Sequence, residues 1–215
     1  MSRAFFLTGT DTGVGKTLIA SALLHAAAAQ GLRALGMKPV AAGDAGDVDA
    51  LIAAGNVAAP RDCVNPYLLR EPLSPHIAAR RDGVAIDLEH IARCFEELRG
   101  RADFLVVEGA GGFRVPLSEA HDGGNLAVRL GLPLILVVGL RLGCLNHALL
   151  TAEAIRARGL CLAGWVANQV DAGMACVDEN VGTLRGRLDA PLLGFVPHQA
   201  APDAARIAAL LAMPA

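Results

Sequence analysis

From one end of the chain to the other, short apolar runs of strand length alternate with longer segments in which apolar positions recur at helical spacing. The pattern predicts strands over Ala4–Thr8, Arg33–Val40, Phe104–Glu108, Leu134–Val138, Cys161–Ala167 and Leu192–Val196. Helices are predicted over Thr17–Gln30, Asp49–Ala54, Asp87–Leu98, Asn125–Leu130, Leu145–Ala157, Val177–Leu188 and Asp203–Leu211. Gly31, Gly100 and Gly159 each follow a helical run, where a left-handed cap favours glycine. Strands that are apolar on both faces and separated by helices require a mostly parallel sheet covered on both sides. The expectation is one α/β domain over residues 1–215. Between Ala41 and Arg81 seven glycines and prolines interrupt the rhythm, so an irregular and functional segment is expected there.

Composition narrows the function. The 215 residues are 53% hydrophobic and 19% charged, enough apolar content for a substantial core and too much for disorder. With 19 basic and 21 acidic residues the net charge is −2, which argues against a nucleic-acid partner. The run Leu130–Leu140 is broken by Gly131, Pro133 and Gly139 and is too short for a membrane span. The first residues lack the shape of a secretion signal, and five scattered cysteines without a C-x-x-C pair fit reduced thiols, so a cytoplasmic protein is expected. Lysine occurs only at Lys16 and Lys38; every other cation is arginine. Arginine does not replace a compact, mobile ammonium, so both lysines are candidates for chemistry.

Lys16 sits in Gly9-Thr10-Asp11-Thr12-Gly13-Val14-Gly15-Lys16-Thr17, between the first strand and the first helix. That order is a phosphate-binding loop with its first glycine one residue earlier than usual. Glycines let backbone N–H groups converge on phosphate oxygens, Lys16 neutralises the outer phosphates, and the Thr17 hydroxyl suits Mg²⁺. Glu108 ends a strand of four apolar residues and precedes Gly109-Ala110-Gly111-Gly112, so it is a second candidate metal ligand, with Asp44, Asp47 and Asp49 as further ones. Lys38, in Gly36-Met37-Lys38-Pro39-Val40, closes the second strand at the same sheet edge as the loop. Two ammonium groups beside phosphates suit phosphoryl transfer to an anionic oxygen.

These blocks, with Asn65-Pro66-Tyr67, Pro72-Leu73-Ser74-Pro75-His76, Val107-Glu108-Gly109-Ala110-Gly111-Gly112, Leu142-Gly143-Cys144-Leu145-Asn146-His147, Gly164-Trp165-Val166-Ala167-Asn168 and Pro191-Leu192-Leu193-Gly194, resemble the dethiobiotin synthetase family in order along nearly the whole chain. The resemblance implies a P-loop NTPase-like fold and an ATP- and Mg²⁺-dependent ligase of biotin synthesis. Its substrates would be 7,8-diaminononanoate, CO₂ and ATP, and its products dethiobiotin, ADP and phosphate. It further implies that Lys16 and Lys38 flank a carbamate and the γ-phosphate, and that Thr17, Asp49 and Glu108 hold Mg²⁺. ATP would lie along Thr12, Gly13, Val14, Gly15, Lys16 and Thr17, with its base against Asn168, Gln169, Pro197, His198 and Gln199. Lys38, Ala42, Gly111 and Gly112 would face the diamine. Backbone N–H groups at Cys144 and Leu145 of a neighbouring subunit would bind its carboxylate, so the implied active form is a homodimer. Ala42 stands where the family often has serine.

Switch ATPases of cell division and partition share the strand-loop-helix opening, but they typically carry a second lysine five residues before the loop lysine. That position here is Asp11.

Overall fold

The computed structural model describes residues 2–215. In chain order the elements are β1 (Arg3–Gly9), α1 (Lys16–Ala29), β2 (Ala34–Met37), β3 (Val40–Ala42), α2 (Gly46–Ala54), α3 (Arg61–Val64), β4 (Tyr67–Leu69), α4 (Pro75–Asp82) and α5 (Leu88–Arg99). They continue with β5 (Phe104–Gly112), α6 (Gly123–Leu130), β6 (Leu134–Leu140), α7 (Cys144–Ala157), β7 (Leu162–Gln169), α8 (Val177–Arg185), β8 (Leu192–Val196) and α9 (Ala204–Ile207), which runs into a 3₁₀ turn. Six strands form one parallel sheet in the order β2-β5-β1-β6-β7-β8.

The alternation of side chains along each strand supplies both faces. Phe5 and Leu7 of β1, Phe104 and Val106 of β5, and Ile135 and Val137 of β6 pack on Ile19 and Leu23 of α1. Their neighbours Phe6, Leu105 and Val107 point the other way, toward Ile91 and Phe95 of α5. A third cluster joins Leu136, Val138 and the fully buried Trp165 to α7 and α8. Both faces are therefore closed to water, as continuous apolar strands require.

Three expectations are corrected. The strand anticipated over Arg33–Val40 is split: β2 lies in the main sheet, and β3 pairs with β4 in a separate two-stranded parallel sheet. Pro39 has no N–H for a ladder. Lys38 N donates to Val64 O (2.8 Å) instead, and Asn65 Nδ2 donates to Lys38 O (2.6 Å), drawing the chain out of the main sheet at Lys38. The segment 41–81 is thus built rather than irregular, holding α2, α3, α4 and this small sheet. Its elements are too short for periodicity to reveal. Gly31 and Gly159 do adopt positive φ after their helices, whereas Gly100 remains right-handed at φ −67°.

Asp122 locks the loop after β5 to two helices. Its Oδ1 accepts from Asn125 N in a reciprocal cap of α6, and its Oδ2 accepts from Arg114 Nε (2.6 Å) and Arg158 Nη2 (2.7 Å). Asp122→Ala removes a helix cap and leaves the largely buried Arg158 without its counter-ion, so it should lower unfolding stability by about 2–3 kcal/mol in urea titrations. Asp122→Asn retains the cap and should lose about half as much; equal losses for both would show that the cap contributes nothing.

Candidate active site

The phosphate loop connects β1 to α1, and its shape follows from close packing. Val14 is buried as a wedge: a Cβ on Gly9 or on Gly139 would each lie 2.6 Å from its side chain. Gly15 adopts φ +86°, and a Cβ there would lie 2.3 Å from Asn168 Nδ2, so glycine is required on both counts. Lys16 starts α1, and its ammonium donates to Asp11 O inside the loop at 3.0 Å.

The split between β2 and β3 brings the second lysine to the same place. Lys38 Nζ lies 2.7 Å from Asp47 Oδ2 and 2.5 Å from Glu108 Oε1, and Thr17 Oγ1 lies 2.7 Å from Asp47 Oδ1 and 2.8 Å from Glu108 Oε1. Lys38, the two carboxylates and the loop threonine therefore form one cluster at the sheet edge, and the Lys16 ammonium lies near enough to feel the charges of Glu108, Lys38 and Asp47. Glu108 is fully buried, yet β5 runs on past it to Gly112; the pairing with β1 slips beyond Leu7, so the glycines bulge toward Thr12.

Charge in the cluster follows from burial and partners. Burial acts to lower the Lys38 pKa, but Glu108 and Asp47 outweigh it, so Lys38 is held protonated above its ordinary range. The half-exposed Asp47 is the carboxylate that keeps its charge: burial opposes it, but Lys38 holds its carboxyl below the usual range. Glu108 is pushed up, by burial first and with Asp47 adding to it. Its second oxygen, Oε2, is buried without a hydrogen-bond partner.

Asp49, expected among the metal ligands, stands apart from this cluster. It is 61% exposed and pairs with Arg61 at 2.6 Å. Residues two apart on a helix point about 200° apart, so only one of Asp47 and Asp49 in α2 can face the lysines. Asp47 does.

Three cavities open around the cluster. One, of about 320 Å³, is lined by Gly13, Gly15, Asn168, Gln169, Pro197, His198 and Gln199, which brings together the residues expected around a base. There Asn168 Nδ2 donates to Val14 O (2.9 Å), and no hydrogen bond among the described residues engages its Oδ1. Asp203, at the start of the predicted last helix, caps α9 through Ala205 N and Arg206 N. A second cavity, of about 510 Å³, is lined by Thr12, Lys38, Ala42, Asp44, Asp47, Ser74 and Gly111 among others. Gly112 lines a third, of about 380 Å³, with Thr10, Arg114 and Leu150. Cys144 and Leu145 open α7, Cys144 buried and Leu145 half-buried, and line none of these cavities. Two supporting residues had only faint signals in the sequence. Asn65, before a proline, holds the Lys38 carbonyl, and Arg141 pairs with Asp11 (2.5 Å) within the loop.

Solved structures of similar shape include the septum site-determining protein MinD with Mg-ADP from Pyrococcus horikoshii (TM-score 0.61, 17% identity, 93% of this chain and 82% of that one). Another is the cell division ATPase MinD of Pyrococcus furiosus (0.59, 18%, 93% and 84%). Together with the parallel sheet and glycine loop they define a P-loop NTPase-like fold. A family model described as an AAA domain matches residues 3–206. Proteins named ATP-dependent dethiobiotin synthetase BioD are far closer in sequence. That of Aromatoleum aromaticum is 57% identical over 99% of this chain and 98% of its own length, and that of Ralstonia nicotianae 58% identical over 95% and 92%. The chain belongs to the ATP-dependent dethiobiotin synthetase family and is an enzyme of that kind.

Burial lowers the Lys16 pKa to about 8, Lys38 adding its repulsion and Glu108 and Asp47 opposing. Between that value and the ordinary 10.5 the unfolded chain holds a proton that the folded chain gives up, so the stability of the ligand-free protein rises with pH across that window. A polyanion beside Lys16 reverses the shift. Triphosphate binding at about pH 9 should therefore take up most of one proton, read by calorimetry in buffers of different ionisation enthalpy. Uptake should vanish in Lys16→Arg; zero uptake in the unaltered protein would mean that Lys16 is already charged.

Proposed function

We propose that the enzyme closes the ureido ring of dethiobiotin from 7,8-diaminononanoate and CO₂, with ATP as co-substrate and Mg²⁺ as cofactor, yielding ADP and phosphate. The observation that carries this reading is the meeting of Lys16 and Lys38 with Asp47, Glu108 and Thr17 between a base-sized cavity and a second cavity lined by Lys38. One amine of the diamine adds to CO₂ and loses a proton, forming a carbamate. A carbamate oxygen attacks the γ-phosphorus and ADP departs, giving a carbamic-phosphoric anhydride. The second amine attacks the anhydride carbon, phosphate leaves, and the ring closes.

The residues fit that sequence by charge and position. Carbamate and triphosphate are both anions, and two ammonium groups lower the cost of bringing them together. Lys38 is held charged by its carboxylate neighbours and so faces the carbamate as a cation. Once the oxygen is phosphorylated it is a good leaving group, so no protein nucleophile is needed, and placement of the second amine suffices. Thr12, Gly13, Val14, Gly15, Lys16 and Thr17 would carry the phosphates. Asn168, Gln169, Pro197, His198 and Gln199 would enclose the base, with Asn168 Oδ1 accepting from an exocyclic amine. Ala42, Gly111 and Gly112 would border the diamine.

Thr17, Asp47 and Glu108 are the residues that would hold Mg²⁺, with Asp47 in the place first assigned to Asp49. All three offer hard oxygens, and the unpartnered Oε2 of Glu108 is a buried acceptor that a cation would satisfy. The cation supplies charge compensation on the phosphates. A homodimer, with N–H groups of Cys144 and Leu145 serving the partner's substrate, is supported by the apolar Leu142 and Leu150 at 98% and 55% exposure on the same segment. No described helix is long and apolar enough to cross a membrane, and the reading has the enzyme act in the cytoplasm on small molecules.

Incubation with ATP, the diamine and carbon-labelled bicarbonate should place the label in a cyclic urea that keeps the substrate's carboxylate, and ATP hydrolysis without such incorporation would refute the reading. In the same assay Lys38→Ala should bind ATP with affinity within about threefold of the unaltered enzyme, while turnover falls by about 10²–10³-fold. Asp47→Asn should lower turnover by about 10²-fold and raise the Mg²⁺ concentration needed for half-activity, whereas Asp49→Asn should do neither. The reverse order would return Asp49 to the metal site.

A further inference from the structure

The walls of the Lys38 cavity carry one carboxylate that nothing in the protein neutralises. Asp47 uses Oδ2 for Lys38 and Oδ1 for Thr17, so both of its oxygens already have partners in the protein and its charge is matched by Lys38. Glu108 lies outside the lining of this cavity. Asp44 lines the cavity, and its only hydrogen bond among the described residues is from Gly46 N to Oδ1 (2.8 Å); it makes no ion pair there. Its position is set by the backbone. Gly43 N donates to Leu69 O (2.9 Å), and Gly43 at φ +99° packs so closely on Pro72 that a Cβ would lie 2.9 Å from it. The turn from Asp44 to Gly46 then fixes one carboxylate oxygen and leaves the other uncommitted.

Charge on the wall is therefore divided. Lys38 offers a cation whose surplus Asp47 balances, and Asp44 adds an unbalanced anion. A wall of this kind suits a ligand that is anionic at one group and cationic at a neighbouring one. A diamine with one amine converted to a carbamate is such a ligand, because its second amine is an ammonium near neutral pH. Ala42, beside Asp44, has no polar atom on its side chain with which to meet that group.

We infer that Asp44 is a specificity-determining residue that binds the free ammonium of the carbamate-bearing diamine, orienting the second amine for ring closure. The inference rests on the diamine reading of the cavity. By pairing with the ammonium, Asp44 raises that amine's pKa in the bound complex, so the amine must lose its proton before it attacks, and the pH dependence of kcat reports the pairing.

Asp44→Asn tests this cleanly, because the amide oxygen still accepts from Gly46 N and only the charge is lost. KM for the diamine should rise about three- to tenfold, KM for ATP should not change, and the rising acidic limb of kcat should move to lower pH. A mono-amine of the same chain length should bind the Asn variant and the unaltered enzyme equally, as measured by calorimetry. Unchanged diamine KM and pH limb, or equal rises in both KM values, would overturn the assignment while leaving the ligase reading intact. Failure of the unaltered enzyme to form any cyclic urea would overturn that reading and this inference with it.

Discussion

An ammonium group buried between two carboxylates holds the site of this enzyme together. Lys38 has almost no contact with solvent, and neither its desolvation nor that of Glu108 is tolerable alone. Asp47 supplies the remaining charge and links Lys38 to Thr17 at the start of α1. Removing Lys38 takes from Glu108 and Asp47 the cation they share, and removing Asp47 takes from the buried ammonium the carboxylate that keeps its charge, so the phosphate loop, α2, β5 and the end of β2 are fixed relative to one another by electrostatics as well as by packing.

The backbone is arranged to allow that meeting. Pro39 ends the ladder of β2 and Asn65 captures the carbonyl of Lys38, so the chain leaves the sheet where the ammonium must turn inward. The same departure creates the small β3–β4 sheet, and with it one wall of the cavity that holds Ala42 and Asp44. On the other side, the bulge of β5 past Glu108 brings glycines against Thr12. Fold and chemistry share these features.

Such a site explains the composition. Surface cations can be arginine because exposed ion pairs such as Arg33–Asp103 ask only for charge, and bidentate geometry suits them. The two interior cations must be compact and adjustable in pKa, and there the chain uses lysine. The likeness to MinD proteins, at 17–18% identity, concerns the fold alone; at the loop position where switch ATPases place their second lysine, this chain has Asp11, paired with Arg141.

Read without coordinates, the alternation of strands and helices already determined a parallel sheet covered on both faces, because the 2.0 and 3.6 periods are local properties of the chain. The phosphate loop was equally legible, since its glycines, lysine and threonine are contiguous. Both lysines could be singled out by rarity, and Glu108 by its place after an apolar strand. The choice of Asp47 over Asp49 could not be made, because it depends on the rotation of α2 about its axis, which is set by Val48 and Leu51 packing into the core. Nor could the division of β2 from β3, since β4 lies more than twenty residues further along and pairing at that distance leaves no local periodicity. Tertiary structure decided which polar groups are buried together, and burial and the charged partners it brings into contact jointly set their protonation.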